Sequence, residues 1–97
     1  MPTYISLMKL TEQGAKEIKD TPERVKNAIK SLEALGGKLV ALYFVMGEYD
    51  YIGIAEAPSD EVALTFLIGL GAAGNVKTTT VKAFKMDEIS SIISKLT

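Results

Sequence analysis

Cysteine and histidine are both missing from this 97-residue chain, and the two absences remove more chemistry than any residue present supplies. Without Cys there are no disulfides, thiol nucleophiles or thiolate-held metals. Without His, imidazole general bases and histidine-ligated metals drop out as well. An excess of one charge is also missing: 11 Lys and Arg against 12 Asp and Glu leave a net charge of −1, with no basic run. Charge-driven binding to nucleic acid or to a membrane surface is therefore not expected. The most apolar stretch, Val62 to Ala73, contains Thr65, Gly69 and Gly71 and falls short of the ~20 residues of a spanning helix. Met1-Pro2-Thr3-Tyr4 does not open a secretory signal, so a cytoplasmic protein is expected, and neither metal nor cofactor is expected.

What is present suits one compact domain over residues 1–97, with 47% hydrophobic and 24% charged side chains. A domain of this size buries only roughly two thirds of its unfolded surface and gains from association. A homodimer or higher oligomer is the expected state.

Along the chain, 3–10 is rich in strand formers and stops at Thr11-Glu12-Gln13-Gly14, a short helical turn or loop entry. Thr21-Pro22-Glu23 starts a helix, with Thr21 as cap and Pro22 first inside. Val25, Ala28, Ile29, Leu32 and Leu35 then recur at helical spacing until Gly36-Gly37 closes the helix. Residues 38–46 read as a strand that is apolar on both alternating sets, followed by a two-residue hairpin at Gly47-Glu48 and a strand over 49–55. Pro58-Ser59-Asp60-Glu61 opens a second helix to about Gly74. Val76 to Phe84 is a fourth strand, and Asp87 caps a last helix whose stripe is Ile89, Ile92, Ile93 and Leu96.

This order gives an α+β, ferredoxin-like βαββαβ fold: a four-stranded antiparallel sheet, both main helices on one face and a C-terminal helix. Thr11–Gly14, Gly47–Asp50 and Gly71–Val76 then meet at one end of the sheet. Strand alternation sorts the sheet residues into two sets. The aliphatic set, Ile5, Leu7, Val40, Leu42, Ile52, Ile54, Val81 and Ala83, is expected under the helices. The other holds Tyr4, Ser6, Met8, Tyr43, Tyr49, Tyr51, Gly53, Thr78, Thr80 and Lys82. An open face with all four tyrosines suits a subunit interface or a small-molecule cavity closed by a second subunit. Tyr4, Ser6, Tyr43, Tyr49, Tyr51, Thr78, Thr80 and Lys82 are the candidate binding or interface residues. Asp50 is expected to fix its loop by accepting backbone amides near Thr11–Gly14.

No catalytic constellation is visible. Gly69-Leu70-Gly71-Ala72-Ala73-Gly74 matches a dinucleotide fingerprint in letters, but it ends a helix and leads into a strand, the reverse of the context that fingerprint needs. Its small residues are expected to let the helix end approach the sheet. Asp60, Glu61 and Glu12 sit at helix starts, where the helix dipole favours acids.

Gly47-Glu48-Tyr49-Asp50 resembles the Gly-x-Tyr-Asp motif of the GYD domain proteins. Thr11-x-x-Gly14, Thr21-Pro22-Glu23-Arg24, Gly36-Gly37-Lys38, Glu56-Ala57-Pro58 and Gly74-Asn75-Val76 look like that family's other recurring positions. The resemblance implies a ferredoxin-like fold related to the dimeric α+β barrels, with Gly47, Tyr49 and Asp50 as the structural motif, and adds no catalytic residue. The expected function is a non-catalytic oligomeric module that self-associates through its tyrosine-rich face and takes a small, partly apolar ligand. The alternative is a cofactor-independent barrel enzyme of monooxygenase or isomerase type, using Tyr49 or Tyr51 with Lys82.

Overall fold

β1 (Thr3–Leu10) is the strand on which the sheet is built. It pairs antiparallel with β3 (Tyr51–Glu56) on one side and β4 (Val76–Ala83) on the other, and β2 (Lys38–Phe44) adds to the far edge of β3, giving the order β2-β3-β1-β4. In this computed structural model, which describes residues 1–96, α1 (Glu12–Lys16) and one 3-10 turn (Ile18–Asp20) lead into α2 (Thr21–Ala34). α3 (Asp60–Ala73) joins β3 to β4, and α4 (Met86–Ile93) follows β4. The α+β, ferredoxin-like arrangement expected from the element order is the one observed.

Local chemistry sets most boundaries. Thr11 caps α1 by accepting the Gly14 amide at 3.1 Å, and Ser59 caps α3 by accepting the Val62 amide at 3.2 Å. Gly74 closes α3 with a φ of +82°, a left-handed turn that glycine makes without strain. Thr21 departs from expectation: it is the first residue inside α2, because the 3-10 turn runs into the helix through Asp20 in helical conformation. α4 begins at Met86 instead of after Asp87, since the Lys85 amide donates to the Glu88 carboxylate at 2.9 Å and starts the helix earlier.

The β2–β3 connection is a six-residue loop, 45–50, and not the two-residue hairpin expected at Gly47-Glu48. Asp50 is the reason. Its amide donates to the Met8 carbonyl, its carbonyl accepts from the Val45 amide, both at 2.9 Å, and its Oδ2 accepts the Leu10 amide at 2.8 Å. The bonds to Met8 and Leu10 tie residue 50 to β1, and the bond from Val45 closes the loop at its base.

The assignment of sheet faces is the main correction. β2 carries a bulge: Leu39 opposes Ala55 and Ala41 opposes Ile54, so Val40 has no partner on β3. Beyond it the phase flips, and Leu42 opposes Gly53 while Tyr43 opposes Ile52. The side lying under α2 and α3 holds Tyr4, Ser6, Met8, Leu42, Tyr51 and Gly53. Tyr4 and Tyr51 are only 8% and 6% exposed. The aliphatic set, Ile5, Leu7, Ile52, Ile54, Val81 and Ala83, is on the other side with Tyr43, which is 60% exposed. Alternation separates two sets but is symmetric about which one the helices take. Here the tyrosine set is anchored from above, because the Tyr4 hydroxyl donates to Asp60 at the start of α3. Met8 and Leu42 fill the space over Gly53, where an added Cβ would stand 3.4 Å and 3.6 Å from their side chains.

Candidate functional site: a loop junction, a polar cluster and a cleft

Three loops meet at one end of the sheet, as the topology requires. The Thr11 amide donates to the Asn75 carbonyl at 3.0 Å and the Thr11 hydroxyl to the Gly74 carbonyl at 2.6 Å. Gln13 Nε2 donates to the Ala73 carbonyl and to Asn75 Oδ1, at 3.2 and 2.9 Å. Asp50 joins from the third loop through Leu10. Each of these bonds satisfies a group at a strand or helix end, so the junction is structural. Tyr49 lies outside any strand, its ring 5.4 Å from the Lys9 ammonium, and Glu48 pairs with the same Lys9 at 3.6 Å.

The remaining expected site residues divide. Ser6 and Thr80 share a hydrogen bond of 2.7 Å, Thr78 pairs with Met8, and Lys82 pairs with Tyr4, all on the helix side. Tyr43 is apart, on the open face. The structure therefore groups Tyr4, Ser6, Tyr51, Thr78, Thr80 and Lys82 and leaves Tyr43 and Tyr49 out.

Asp60 is the residue that sequence reasoning passed over. It accepts from the Tyr4 hydroxyl, and its carboxylate is 3.1 Å from the Lys82 ammonium. The hydrogen bond to Asp60, with burial second, pushes the Tyr4 hydroxyl up to about 12. The same bond from Tyr4, helped by Lys82, holds the Asp60 carboxyl below its ordinary value. Lys82 is thus committed to a carboxylate. The signal for Asp60 was only its place at a helix start, where many acids sit for the dipole alone.

Between α2, α3 and the helix side of the sheet lies a cleft of about 480 Å³, with Met8 and Gly53 on its floor and Leu32 and Phe66 on its walls. Gly69 also lines it, and a Cβ at Gly69 or Gly71 would meet nothing within 4 Å. This corrects the expectation for the glycine-rich stretch: its small residues leave room instead of admitting close contact with the sheet. Gly69 and Gly71 lie inside α3, ahead of β4, so no phosphate-binding strand-turn-helix is formed.

The open face of the sheet carries Ile5, Leu7, Ile52, Ile54 and Val81 with Tyr43 across it, and neither α2 nor α3 covers it. Of these sheet residues Ile5, Leu7, Ile52 and Ile54 are half-buried, and α4 is barer: Ile92 and Ile93 are 49% and 55% exposed. Among the described residues no helix is long and apolar enough to cross a membrane.

Known proteins resemble this chain in sequence or in fold. A protein of Thermus thermophilus named glutamine synthetase and cystathionine beta-lyase binding protein is 36% identical over 90 residues, covering 92% of this chain and 95% of the relative. Among solved structures, a feast or famine regulatory protein from M. tuberculosis complexed with L-methionine superposes with a TM-score of 0.66 at 15% identity, over 89% of this chain. The present chain spans about half of that regulator, 52% of its length. FFRP-DM1 superposes with a TM-score of 0.60 at 22% identity, over 87% of this chain and 100% of its own. At such identities the two structures share the fold alone. The GYD domain model matches residues 4–93, nearly the whole chain, and the protein belongs to the GYD domain family.

Proposed function

We propose that this protein is a non-catalytic module that self-associates through the aliphatic face of its sheet and binds a small, partly apolar molecule. The observation that carries the reading is the face itself. Ile5, Leu7, Ile52, Ile54 and Val81 form a contiguous aliphatic surface on adjacent strands, on the side away from α2 and α3. Apolar patches of this continuity mark association surfaces. α4 supports the same reading: an eight-residue helix does not hold together alone in water, and its stripe of Ile89, Ile92 and Ile93 needs a surface to lie on. The tyrosine face, the surface expected from the sequence, is used inside the protomer instead.

The likenesses support binding over catalysis. The Thermus relative is named for binding two enzymes, and the regulator from M. tuberculosis was solved with an amino acid. Lys82, the cation that an enzyme would need free, is held by Asp60. Native mass spectrometry with light scattering on the purified protein tests the proposal against Ile54→Glu, whose charge lands mid-face. The wild type is expected as an oligomer and the variant as a folded monomer. A wild type that stays monomeric at micromolar concentration refutes self-association.

A further inference from the structure

The geometry points to a site for a small carboxylate with an apolar body, inside each protomer, in the cleft between α2, α3 and the sheet. This names the place and ligand class for the small-molecule half of the function proposed above, and rests on it.

The cleft, at about 480 Å³, has the volume of small-molecule sites, which run from roughly 300 to 1,000 Å³ and are mostly apolar with a few placed polar groups. Met8, Leu32, Leu42 and Phe66 supply an apolar lining, and Gly69 keeps the wall open. At the end nearest Gly14 the lining turns polar and cationic. Arg24 is fixed there by three neutral oxygens: it donates to the Glu17 carbonyl at 2.7 Å, the Thr21 hydroxyl at 3.2 Å and the Gly14 carbonyl at 3.4 Å.

Three bonds leave two of the five N–H donors of a guanidinium unused. Among the described residues the ion pairs are Lys9–Glu48, Lys16–Glu12, Lys82–Asp60 and Lys85–Glu56, so none neutralises Arg24. Both N–H groups of Nη2 are taken, so the two left, on Nε and Nη1, donate singly. An unneutralised guanidinium held at the end of an apolar cleft favours a carboxylate by its charge and by single charge-assisted hydrogen bonds. The lining contains no Asp or Glu. A ligand ammonium therefore has no anionic partner, and an α-amino acid is a worse fit than the corresponding simple acid, because its charged amine is desolvated without compensation.

The test is calorimetric titration of the purified full chain with phenylacetate, hexanoate, phenylacetamide and L-phenylalanine, alongside Gly69→Leu and Arg24→Gln. Gly69→Leu places a side chain at the cleft in a helix that tolerates leucine better than glycine, so its fold is preserved even if Arg24→Gln destabilises α2. Either acid is expected to bind, with the amide and the amino acid at least ~10-fold weaker, a gap of about 1.4 kcal/mol. Gly69→Leu is expected to weaken acid binding by at least as much, with an unchanged circular dichroism spectrum, and Arg24→Gln to erase the preference for acid over amide. Failure of both acids to bind at millimolar concentration overturns the site, as does equal binding of acid and amide, tighter binding of L-phenylalanine, or unchanged binding by Gly69→Leu. A native mass spectrum of the same samples separates the two proposals. An oligomer that ignores the acids refutes the cleft and leaves self-association standing, whereas a monomer that binds them does the reverse.

Discussion

Gly14 in α1 lies so close to Asn75, just ahead of β4, that a Cβ on Gly14 would stand 2.2 Å from the Asn75 carbonyl oxygen. That oxygen also accepts the Thr11 amide, so it is held in place and cannot withdraw. Gly14→Ala is expected to cost about 1–3 kcal/mol through overpacking, read as a lower urea midpoint. Gly69→Ala is the contrasting case. Open space surrounds that position, and replacing a helical glycine is expected to leave stability unchanged or raise it by up to ~1 kcal/mol.

Asp50 serves β1 directly, by accepting the Leu10 amide with a charged oxygen at 2.8 Å. Asp50→Ala is expected to cost about 1.5–3 kcal/mol, the range for hydrogen bonds to charged groups. Faster hydrogen exchange at the Leu10 amide, out of proportion to the global loss, is the local signature to look for.

Tyr4 and Asp60 set opposite edges of the pH range. The Tyr4 hydroxyl is raised from 10.0 to about 12 by its bond to Asp60. Its contribution is therefore complete below pH 10 and is lost as pH rises through about 12, because the unfolded tyrosine ionises first. Asp60 is lowered below 3.8, chiefly by the same bond. Its contribution is present above that value and disappears as pH falls below it, where the unfolded carboxyl takes the proton first. Tyr4→Phe should flatten both edges in a pH series of thermal melts. An unchanged alkaline edge would rule out the Tyr4 contribution.

If the aliphatic face is covered by a second copy, stability follows mass action. The melting temperature of the wild type is expected to climb with protein concentration, and that of Ile54→Glu to be lower and independent of it. Differential scanning calorimetry over a hundredfold dilution decides the matter.

The fold was legible because its signals are local: Ser59 and Thr11 cap helices, Gly36 and Gly74 close them, and strand and helix alternate in one plausible topology. The site was much less so. Periodicity grouped Tyr4, Tyr51 and Lys82 correctly, but their orientation depended on a contact between residues 4 and 60 that no local pattern encodes. The Gly47-Glu48 hairpin failed for a similar reason, because Asp50 bonds to Met8 and Leu10 of β1, far away in sequence, as well as to Val45 across its own loop. The cleft is a property of packing between α2 and α3, and Gly69, which leaves its wall open, looks the same in sequence as a glycine that closes a gap.

The unpaired Val40 has a consequence for reading relatives of this chain. A bulge absorbs one residue without moving the pairs around it: Leu39 opposes Ala55 and Ala41 opposes Ile54, neighbours on β3, so the strand keeps its two sides with or without the extra residue. In a homologue lacking the extra residue, a tyrosine aligned with Tyr43 would still oppose the residue aligned with Ile52, on the outward wall. A single-position gap in an alignment here would mark the loss of the bulge and leave the aromatic ring on the same surface, although simple odd-even counting from Leu39 would place it on the other.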